Sequence, residues 1–397
     1  GFLMVNQSMA ALGNNRSTIR ELFEYGNQRA AVVGRENVFD FSLGNPSVPA
    51  PDAVRQAILE EAAGNPVALH GYTSAQGAAD VRTALADDLN RRFGTAYTGD
   101  SLYLTVGAAA ALSCAFKALA CPGDEFVVLS PYFPEYLMFI ESGAGAKAVI
   151  VPPSVQDFQI NFDALEQKMS AHTKAVVINS PNNPSGAVYS EQTIRRLAEL
   201  LQSKEKQYGH PIYLISDEPY RELVFDGVQV PFVPNYYDNT IVCYSYSKSL
   251  SLPGERIGYV LVPPQSADSA DVYAAVCGAG RALGYVCAPS LFQRVVARCT
   301  GLTGDLTVYK TNRDLLYDNL TAMGYRCVKP AGAFYLFPQT LEPDDRAFCE
   351  RAKKYDLLVV PGADFGAPGH MRISYCVATG TIRRALPLFE KLAQEYR

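Results

Sequence analysis

The chain has 397 residues, of which 48% are hydrophobic and 19% charged, and its formal net charge at pH 7 is -5. This composition excludes a disordered chain, and the length predicts either two or more domains or one large α/β domain with a smaller companion. There is no excess of basic residues for nucleic acid, and no apolar run reaches the roughly 20 residues of a membrane-spanning helix. We therefore expect small-molecule partners, with no nucleic acid and no membrane.

The cysteines and histidines give no sign of a metal site or a disulfide framework. The nine cysteines are odd in number and form no CxxC pair, and the four histidines lie far apart. The residues before Asn15 lack the charged start and apolar core of a signal peptide. We expect free thiols in a cytoplasmic protein, and no metal.

The predicted elements begin with a helix over residues 18–31, capped by Ser17, and a short strand over 39–43 that runs into a loop from Gly44. Apolar strands then alternate with helices, which predicts a mostly parallel sheet buried on both faces. The predicted strands cover residues 101–106, 125–129, 146–151, 175–179, 212–216, 241–246 and 258–262, and the helices include 108–120 and 191–206. After about residue 290, long helices and short strands at 333–337 and 371–375 predict a smaller α+β domain.

Ligands of open α/β sheets bind beyond the carboxyl ends of the strands, so the residues that follow each strand are candidates for a site. Small residues at 107–109 join a strand to a helix, where an anion can bind, although most such motifs only begin a helix. Asp217 ends a buried strand and therefore needs a cationic partner, unless it only caps a turn. Lys248 follows another strand, and Arg256 comes eight positions later. An isolated lysine is usually a solvated charge, whereas a lysine in a partly buried, cationic pocket can lose its proton and attack carbonyl groups.

The run from Ser245 to Gly258 resembles the lysine signature of the class I and II aminotransferases, which are fold-type I enzymes that use pyridoxal 5′-phosphate (PLP). Residues 182–186, residues 217–220 and Arg372 match further segments of that family in the same order, so the resemblance covers essentially the whole chain. It implies the α/β fold of these enzymes, with a large PLP-binding domain over residues 46–288. A small α+β domain would consist of residues 1–45 and 289–397.

The resemblance also implies which residues bind PLP. Lys248 should form the internal aldimine and carry the proton between the substrate Cα and the cofactor C4′, while Asp217 binds the pyridine nitrogen. Asn183 and Tyr220 should hydrogen-bond the phenolic oxygen, and Phe133 should stack on the ring, unless it is a plain core aromatic. The phosphate should be bound by small residues and one arginine, namely Ala108, Ala109, Ser245, Ser247 and Arg256.

For the substrate, the resemblance implies that Arg372 binds the α-carboxylate and that Gly44 and Asn45 close over it. The alternative for Arg372 is a surface ion pair. Tyr72 matches a tyrosine that reaches the phosphate of the neighbouring subunit, which implies a homodimer, although Tyr72 could equally be local core. Arg281 of the neighbouring subunit would bind the distal carboxylate of a dicarboxylic substrate. We therefore expect ping-pong transfer between an L-amino acid, with aspartate as the best choice, and a 2-oxo acid, 2-oxoglutarate.

Three other functions are compatible with these residues. The same scaffold serves PLP-dependent C–S lyases, decarboxylases and racemases. Ser245-x-x-Lys248 also matches the motif of penicillin-recognising serine hydrolases, but the S-D-N and K-T-G partners of that motif are lacking. A regulator that only binds its ligand is the third alternative, and the intact Lys248 argues against it. The glycine-rich run from Gly278 to Gly284 has the wrong spacing for a dinucleotide site and is interpreted as part of a helix.

Overall fold

The computed structural model describes residues 4–397, so the prediction of a chain without a leader falls partly on residues outside the described range. The strands are β1 Phe39–Asp40, β2 Leu102–Thr105, β3 Glu125–Leu129, β4 Lys147–Val151, β5 Thr173–Asn179, β6 Tyr213–Asp217, β7 Thr240–Ser245, β8 Gly258–Leu261, β9 Tyr335–Leu336, β10 Leu357–Leu358, β11 Val360–Pro361 and β12 Met371–Ser374. The α-helices are α1 Gln7–Asn14, α2 Thr18–Val33, α3 Asp52–Ala62, α4 Pro66–His70, α5 Ala79–Phe93, α6 Ala108–Leu119, α7 Glu135–Met138, α8 Phe162–Lys168, α9 Glu191–Tyr208, α10 Ser269–Ala282, α11 Ser290–Arg298, α12 Thr307–Ala322, α13 Asp345–Ala352 and α14 Thr379–Gln394.

The central element is a seven-stranded sheet with the strand order β2-β8-β7-β6-β5-β3-β4. Strand β8 is antiparallel to both of its neighbours, and the other pairs in the sheet are parallel. The prediction of a mostly parallel α/β sheet is therefore confirmed. The sheet is buried on both faces because consecutive side chains enter different cores. Val177 packs with side chains of α6 and α10, whereas Val176 packs with side chains of α8 and α9.

The register of the sheet brings polar residues together at one edge. Strands β5, β6 and β7 are neighbours and parallel, so their last residues Asn179, Asp217 and Ser245 lie at the same edge. Gly107 joins β2 to α6 with a φ of 92°, a conformation that favours glycine. A Cβ at Gly107 would also collide with the guanidinium of Arg256. The polar edge therefore depends on a glycine as well as on the strand order.

A three-stranded antiparallel sheet with the order β11-β12-β9 carries the C-terminal part of the site. Helices α12 and α14 pack beside it in a separate hydrophobic core that includes Leu316 and Phe389. The predicted strand over 39–43 is shorter than expected, since only Phe39–Asp40 pairs as a strand, with β10. Phe41 continues the backbone hydrogen bonding, because its N–H donates to Leu358 and its carbonyl accepts from Ser374. These bonds lead the following residues over the edge of the large sheet.

The predicted helix cap, the glycine-rich run and the cysteines can each be located in the structure. Ser17 caps α2 by accepting a hydrogen bond from the backbone N–H of Arg20, and the glycine-rich run from Gly278 begins within α10, as predicted. The nine cysteines are free thiols. Helix α11 packs against α3 and α5, through Phe292 among others. Within residues 4–397, no helix has the length and apolar character required to cross a membrane.

Candidate active site

A cavity of about 440 Å³ lies at the polar edge of the seven-stranded sheet. Its walls come from that sheet, from the three-stranded sheet and from the N-terminal segment. Twelve of the fifteen predicted site residues line it: Gly44, Ala108, Ala109, Phe133, Asn183, Asp217, Tyr220, Ser245, Ser247, Lys248, Arg256 and Arg372. The structure therefore brings together residues that are spread over more than 300 positions of the sequence.

Lys248 follows β7 and points into this cavity. Its Nζ donates a hydrogen bond to the carbonyl oxygen of Gly44 at 2.7 Å. The pKa of Lys248 is lowered to about 8, mainly by burial and further by the positive charges of Arg372 and Arg256. A substantial fraction of the amine is then neutral near pH 8, and a neutral amine is the form that attacks a carbonyl group.

Asp217 is a buried carboxyl group with one oxygen unpaired. Its Oδ2 accepts a hydrogen bond from the hydroxyl of Tyr136 at 2.5 Å, whereas its Oδ1 has no partner in the described chain. Burial raises the pKa of Asp217 to about 7, and the neighbouring charge of Glu218 acts in the same direction against the hydrogen bond from Tyr136. The interpretation of Asp217 as a turn cap is wrong. An unpaired buried carboxyl oxygen suits a cationic N–H donor that enters the cavity.

Arg372 on β12 is 3% exposed and forms no ion pair with an Asp or Glu of residues 4–397. Its Nη1 donates to Asn183 Oδ1 at 2.9 Å, and its Nη2 donates to the carbonyl oxygen of Ser42 at 2.6 Å. The guanidinium carbon lies 4.5 Å from the ring centre of Tyr335 and 4.9 Å from that of Phe365. The alternative of a surface ion pair is therefore wrong. A buried guanidinium without a protein carboxylate is suited to bind one from a ligand.

Hydrogen-bond donors gather at the other end of the cavity. The first turn of α6 begins at Ala108, and a helix N-terminus presents unpaired backbone N–H groups that favour an anion. The hydroxyls of Ser245 and Ser247 lie 2.6 Å apart beside it, and both are buried. The guanidinium of Arg256 lies against Gly107 at the same end. Backbone amides, two hydroxyls and one arginine together form a site for a phosphate group.

Phe133 and Tyr220 line the space between these two ends. The ring of Phe133 is partly buried, with its centre 5.6 Å from the ring centre of Tyr136. Tyr220 is 4% exposed, and its hydroxyl oxygen lies 2.6 Å from that of Tyr335. Aromatic faces in this position leave a flat, apolar space for a ring.

Three predicted residues do not line the cavity of their own chain. Tyr72 follows α4 and is 90% exposed, so the interpretation of Tyr72 as local core is wrong. Arg281 is exposed in the last turn of α10. Asn45, which follows Gly44, is exposed. The roles of Tyr72 and Arg281 in a neighbouring subunit stay predictions.

Sequence reasoning missed Tyr136, which hydrogen-bonds Asp217, and several residues that line the cavity. Tyr136 had a detectable signal, because it lies three positions after Phe133, about one helical turn away. Tyr335 had none, since it is one of several aromatics in a predicted strand. The other missed lining residues are Ser17, Ile19, Leu112, Pro134, Glu135, Phe139, Asn179, Pro219 and Pro253.

The sequence and the fold of this chain are both similar to those of known enzymes. Residues 36–388 match the family described as aminotransferase class I and II. The chain is 31% identical over 383 residues to an aspartate/prephenate aminotransferase of Thermus thermophilus, covering 92% of this chain and 94% of that protein. The crystal structure of an aminotransferase from Eubacterium rectale is 59% identical and covers 100% of both chains with a TM-score of 0.98. That of aspartate aminotransferase from Thermus thermophilus with maleate is 28% identical, covers 98% of this chain and 100% of the other, and has a TM-score of 0.85.

The chain therefore belongs to the class I and II aminotransferases, and its cofactor is PLP. The residues of the cavity fit this cofactor. The unpaired Oδ1 of Asp217 suits a protonated ring nitrogen, and the donors around Ser245 and Arg256 suit a phosphate. The serine hydrolase and the regulator that only binds its ligand are both wrong as alternatives, since the chain is a PLP-dependent aminotransferase. Among the described residues, no group of three or more His, Cys, Asp or Glu side chains is placed to hold a metal ion.

Proposed function

We propose that the chain moves the amino group of L-aspartate to 2-oxoglutarate by ping-pong chemistry centred on Lys248. The observation that carries this proposal is the single cavity in which a lysine, a buried unpaired carboxyl oxygen and two arginines meet. Bound PLP supplies a carbonyl group that reacts with amines and a ring that accepts electrons from the substrate Cα–H bond. The residues of the chain then have to bind, orient and move protons.

Lys248 is proposed to be the catalytic acid and base. Its lowered pKa, about 8, makes the amine available to accept a proton near neutral pH. In the first half-reaction Nζ takes the proton from Cα of the bound aspartate, and it returns a proton to Cα of the product amino acid in the second. The hydrogen bond to Gly44, at 2.7 Å, supports this role because it holds Nζ at the side of the cavity near the substrate loop.

Asp217, Asn183 and Tyr220 are proposed to hold the ring of the cofactor. A carboxylate at Asp217 keeps the ring nitrogen protonated, and the hydroxyl of Tyr136 fixes its second oxygen. Asn183 accepts from Arg372 through its side-chain oxygen, which leaves its amide N–H groups available for the phenolic oxygen. We propose that Tyr220 donates to the same oxygen.

The remaining contacts are proposed to position the phosphate and the ring face. The backbone amides of the first turn of α6 and the hydroxyl groups beside them suit a doubly charged anion. Arg256 adds a positively charged guanidinium that can donate two hydrogen bonds to it. Phe133 is proposed to stack on the ring. The phosphate ligands are Ala108, Ala109, Ser245, Ser247 and Arg256.

Arg372 is proposed to bind the α-carboxylate of the substrate. Its unpaired Nε and the absence of an acidic partner within the described residues support this role. The loop at Gly44 and Asn45 is proposed to close over the same carboxylate and to exclude water. Substrates that lack an α-carboxylate should therefore be poor.

Aspartate is proposed as the amino donor because relatives of 31% and 29% identity are named aspartate/prephenate aminotransferase and aspartate aminotransferase. A distal carboxylate needs a second cation, and Arg281 of the neighbouring subunit is proposed to supply it. The exposure of Arg281 supports a role outside its own chain. The Arg281→Ala variant should lose activity on aspartate far more than on alanine, and an equal loss on both donors would contradict this role.

We propose a homodimer in which Tyr72 contacts the phosphate of the neighbouring site. Tyr72 is 90% exposed, and Val67, five positions earlier, is also exposed, which supports a surface that a second subunit covers. Subunit mixing tests this arrangement. Lys248→Ala and Tyr72→Ala subunits should be impaired separately and should regain activity together, because one site of the hybrid then has both native residues. No recovery in hybrids of verified composition would contradict the shared site.

We propose a cytoplasmic location, which the nine free thiols support. We also propose a large domain over residues 46–288 and a small domain from residues 1–45 and 289–397.

A panel of amino donors with 2-oxoglutarate tests the proposed reaction. Aspartate should yield oxaloacetate and glutamate in equal amounts, and Lys248→Ala should yield neither above background. Release of ammonia with pyruvate, without new glutamate, would identify a lyase and refute transfer. A preference for another donor would refute aspartate alone.

A further inference from the structure

Tyr335 on β9 links two parts of the cavity. Its side chain is buried at 2% exposure, and its hydroxyl oxygen lies 2.6 Å from that of Tyr220. The guanidinium carbon of Arg372 lies 4.5 Å from the centre of the Tyr335 ring. One side chain therefore contacts both the proposed partner of the cofactor's phenolic oxygen and the proposed partner of the substrate carboxylate.

The fold leaves Tyr335 little freedom. Strands β9 and β12 pair in a register that places Tyr335 opposite Ser374, two positions after Arg372. The hydroxyl of Tyr335 lies so close to Gly44 that any Cβ at that position would collide with it. The conformation of Tyr335 is thus fixed by the strand pairing on one side and by a glycine on the other.

Either hydroxyl can be the donor in the hydrogen bond between the two phenols. Burial raises the pKa of Tyr335 to about 12, and burial also raises that of Tyr220 well above its usual value, so both hydroxyls keep their protons. If Tyr335 is the donor, the proton of Tyr220 is free for an acceptor in the cavity. If Tyr220 is the donor, its only proton is consumed. A phenolic oxygen of the cofactor at this place is an acceptor and favours the first direction.

We infer that Tyr335 is a positioning residue with two separable effects. Its hydroxyl donates to Tyr220 and directs the Tyr220 proton toward the phenolic oxygen of the cofactor. Its ring holds the guanidinium of Arg372 in the orientation that binds a carboxylate, through a cation–π contact. This inference rests on the function proposed above for Tyr220 and Arg372.

The two effects predict different losses in two variants. Tyr335→Phe keeps the ring and removes the hydroxyl. A donor to the phenolic oxygen stabilises negative charge there, so its weakening should raise the pH midpoint of the visible band of the PLP-loaded protein. One neutral hydrogen bond changes an equilibrium by up to about tenfold, which corresponds to a rise of up to about one pH unit. Tyr335→Leu also removes the ring and should weaken the binding of maleate, a dicarboxylate probe, by about fivefold or more.

The experiment is a spectral pH titration of the loaded wild type, Tyr335→Phe, Tyr220→Phe and the double variant, together with maleate titrations. We expect Tyr335→Phe to raise the midpoint, to add no further rise in the Tyr220→Phe background, and to leave the dissociation constant of maleate within twofold. Tyr335→Leu, checked for folding by circular dichroism, should raise that constant.

Two results would overturn the inference. The first is a Tyr335→Phe midpoint equal to that of the wild type, or shifts from Tyr335→Phe and Tyr220→Phe that add in full. The second is an equal loss of maleate binding in Tyr335→Phe and Tyr335→Leu. A wild-type protein that forms no visible band with PLP would instead refute the proposed function.

Discussion

The buried carboxyl group of Asp217 should make the cofactor-free protein less stable as the pH rises. Its pKa in the folded chain is raised to about 7, by burial first, from an ordinary value of 3.8. Below pH 3.8 the folded and the unfolded chain both hold the proton. Between the two values the unfolded chain releases it and the folded chain retains it, so unfolding becomes progressively easier. Above about pH 7 the penalty is complete.

The gap of about 3 pH units corresponds to about 4 kcal/mol, because each unit is worth about 1.4 kcal/mol. Asp217→Asn removes the titration and keeps an oxygen that can accept from Tyr136. Urea unfolding of both cofactor-free proteins between pH 4 and pH 8 measures the effect. The difference between the two unfolding free energies should shift by about 4 kcal/mol in favour of the variant across this range. A comparison across pH cancels any fixed cost of the buried amide.

When PLP is bound, the wild type should instead be more stable than Asp217→Asn, since the Asp217 carboxylate then pairs with the ring nitrogen and the amide cannot form this ion pair. Asp318→Asn, at an exposed position of α12, serves as the matched control for the loss of one carboxyl group. A constant difference between Asp217→Asn and wild type from pH 4 to pH 8 would refute the reasoning. So would a cofactor-free wild type whose stability relative to the variant rises with pH.

Three further predictions concern two cations of the site and Gly107, which lies against a third. The rate at which the cofactor-free protein forms its visible band with PLP should rise with a midpoint near pH 8, the lowered pKa of Lys248, and a midpoint above pH 10 would contradict it. Gly107→Ala should weaken PLP binding at least tenfold in equilibrium titrations, because φ is 92° and the Cβ meets a guanidinium, whereas Gly254→Ala, in open space, should not. Arg372→Lys should lower kcat/KM for 2-oxoglutarate about 100-fold, or about 3 kcal/mol, as a point charge replaces a bidentate fork. The surface variant Arg346→Lys is its control, and equal losses in the two would count against the carboxylate role.

The sequence predicts the sheet and most of the cavity because the parallel strands determine where their carboxyl ends meet. Asp217 and Ser245 end two neighbouring parallel strands and Lys248 follows the second of them, so their proximity can be predicted from local patterns alone. Arg372 could be placed there only through the family resemblance, since its distance from the other residues along the chain leaves no local signal.

The features that sequence reasoning missed arise from packing between distant segments. Tyr335 reaches Tyr220 because β9 pairs with β12, and no periodicity in residues 333–337 specifies that pairing. The carbonyl oxygen of Ser42 can accept a hydrogen bond from Arg372 because the strand predicted over 39–43 ends early and the chain continues without regular structure. Local propensity does not determine such contacts, which depend on how the C-terminal sheet lies on the large one.

The central claim is that Lys248 performs PLP-dependent transfer of an amino group, and a single turnover tests it directly. PLP-loaded protein, freed of excess cofactor, is mixed with aspartate without any 2-oxo acid, and oxaloacetate is measured. We predict one equivalent of oxaloacetate per protomer, no free ammonia, and the loss of this burst in Lys248→Ala. Continuous formation of 2-oxo acid with ammonia, or a full equivalent from Lys248→Ala at the wild-type rate, would contradict the account.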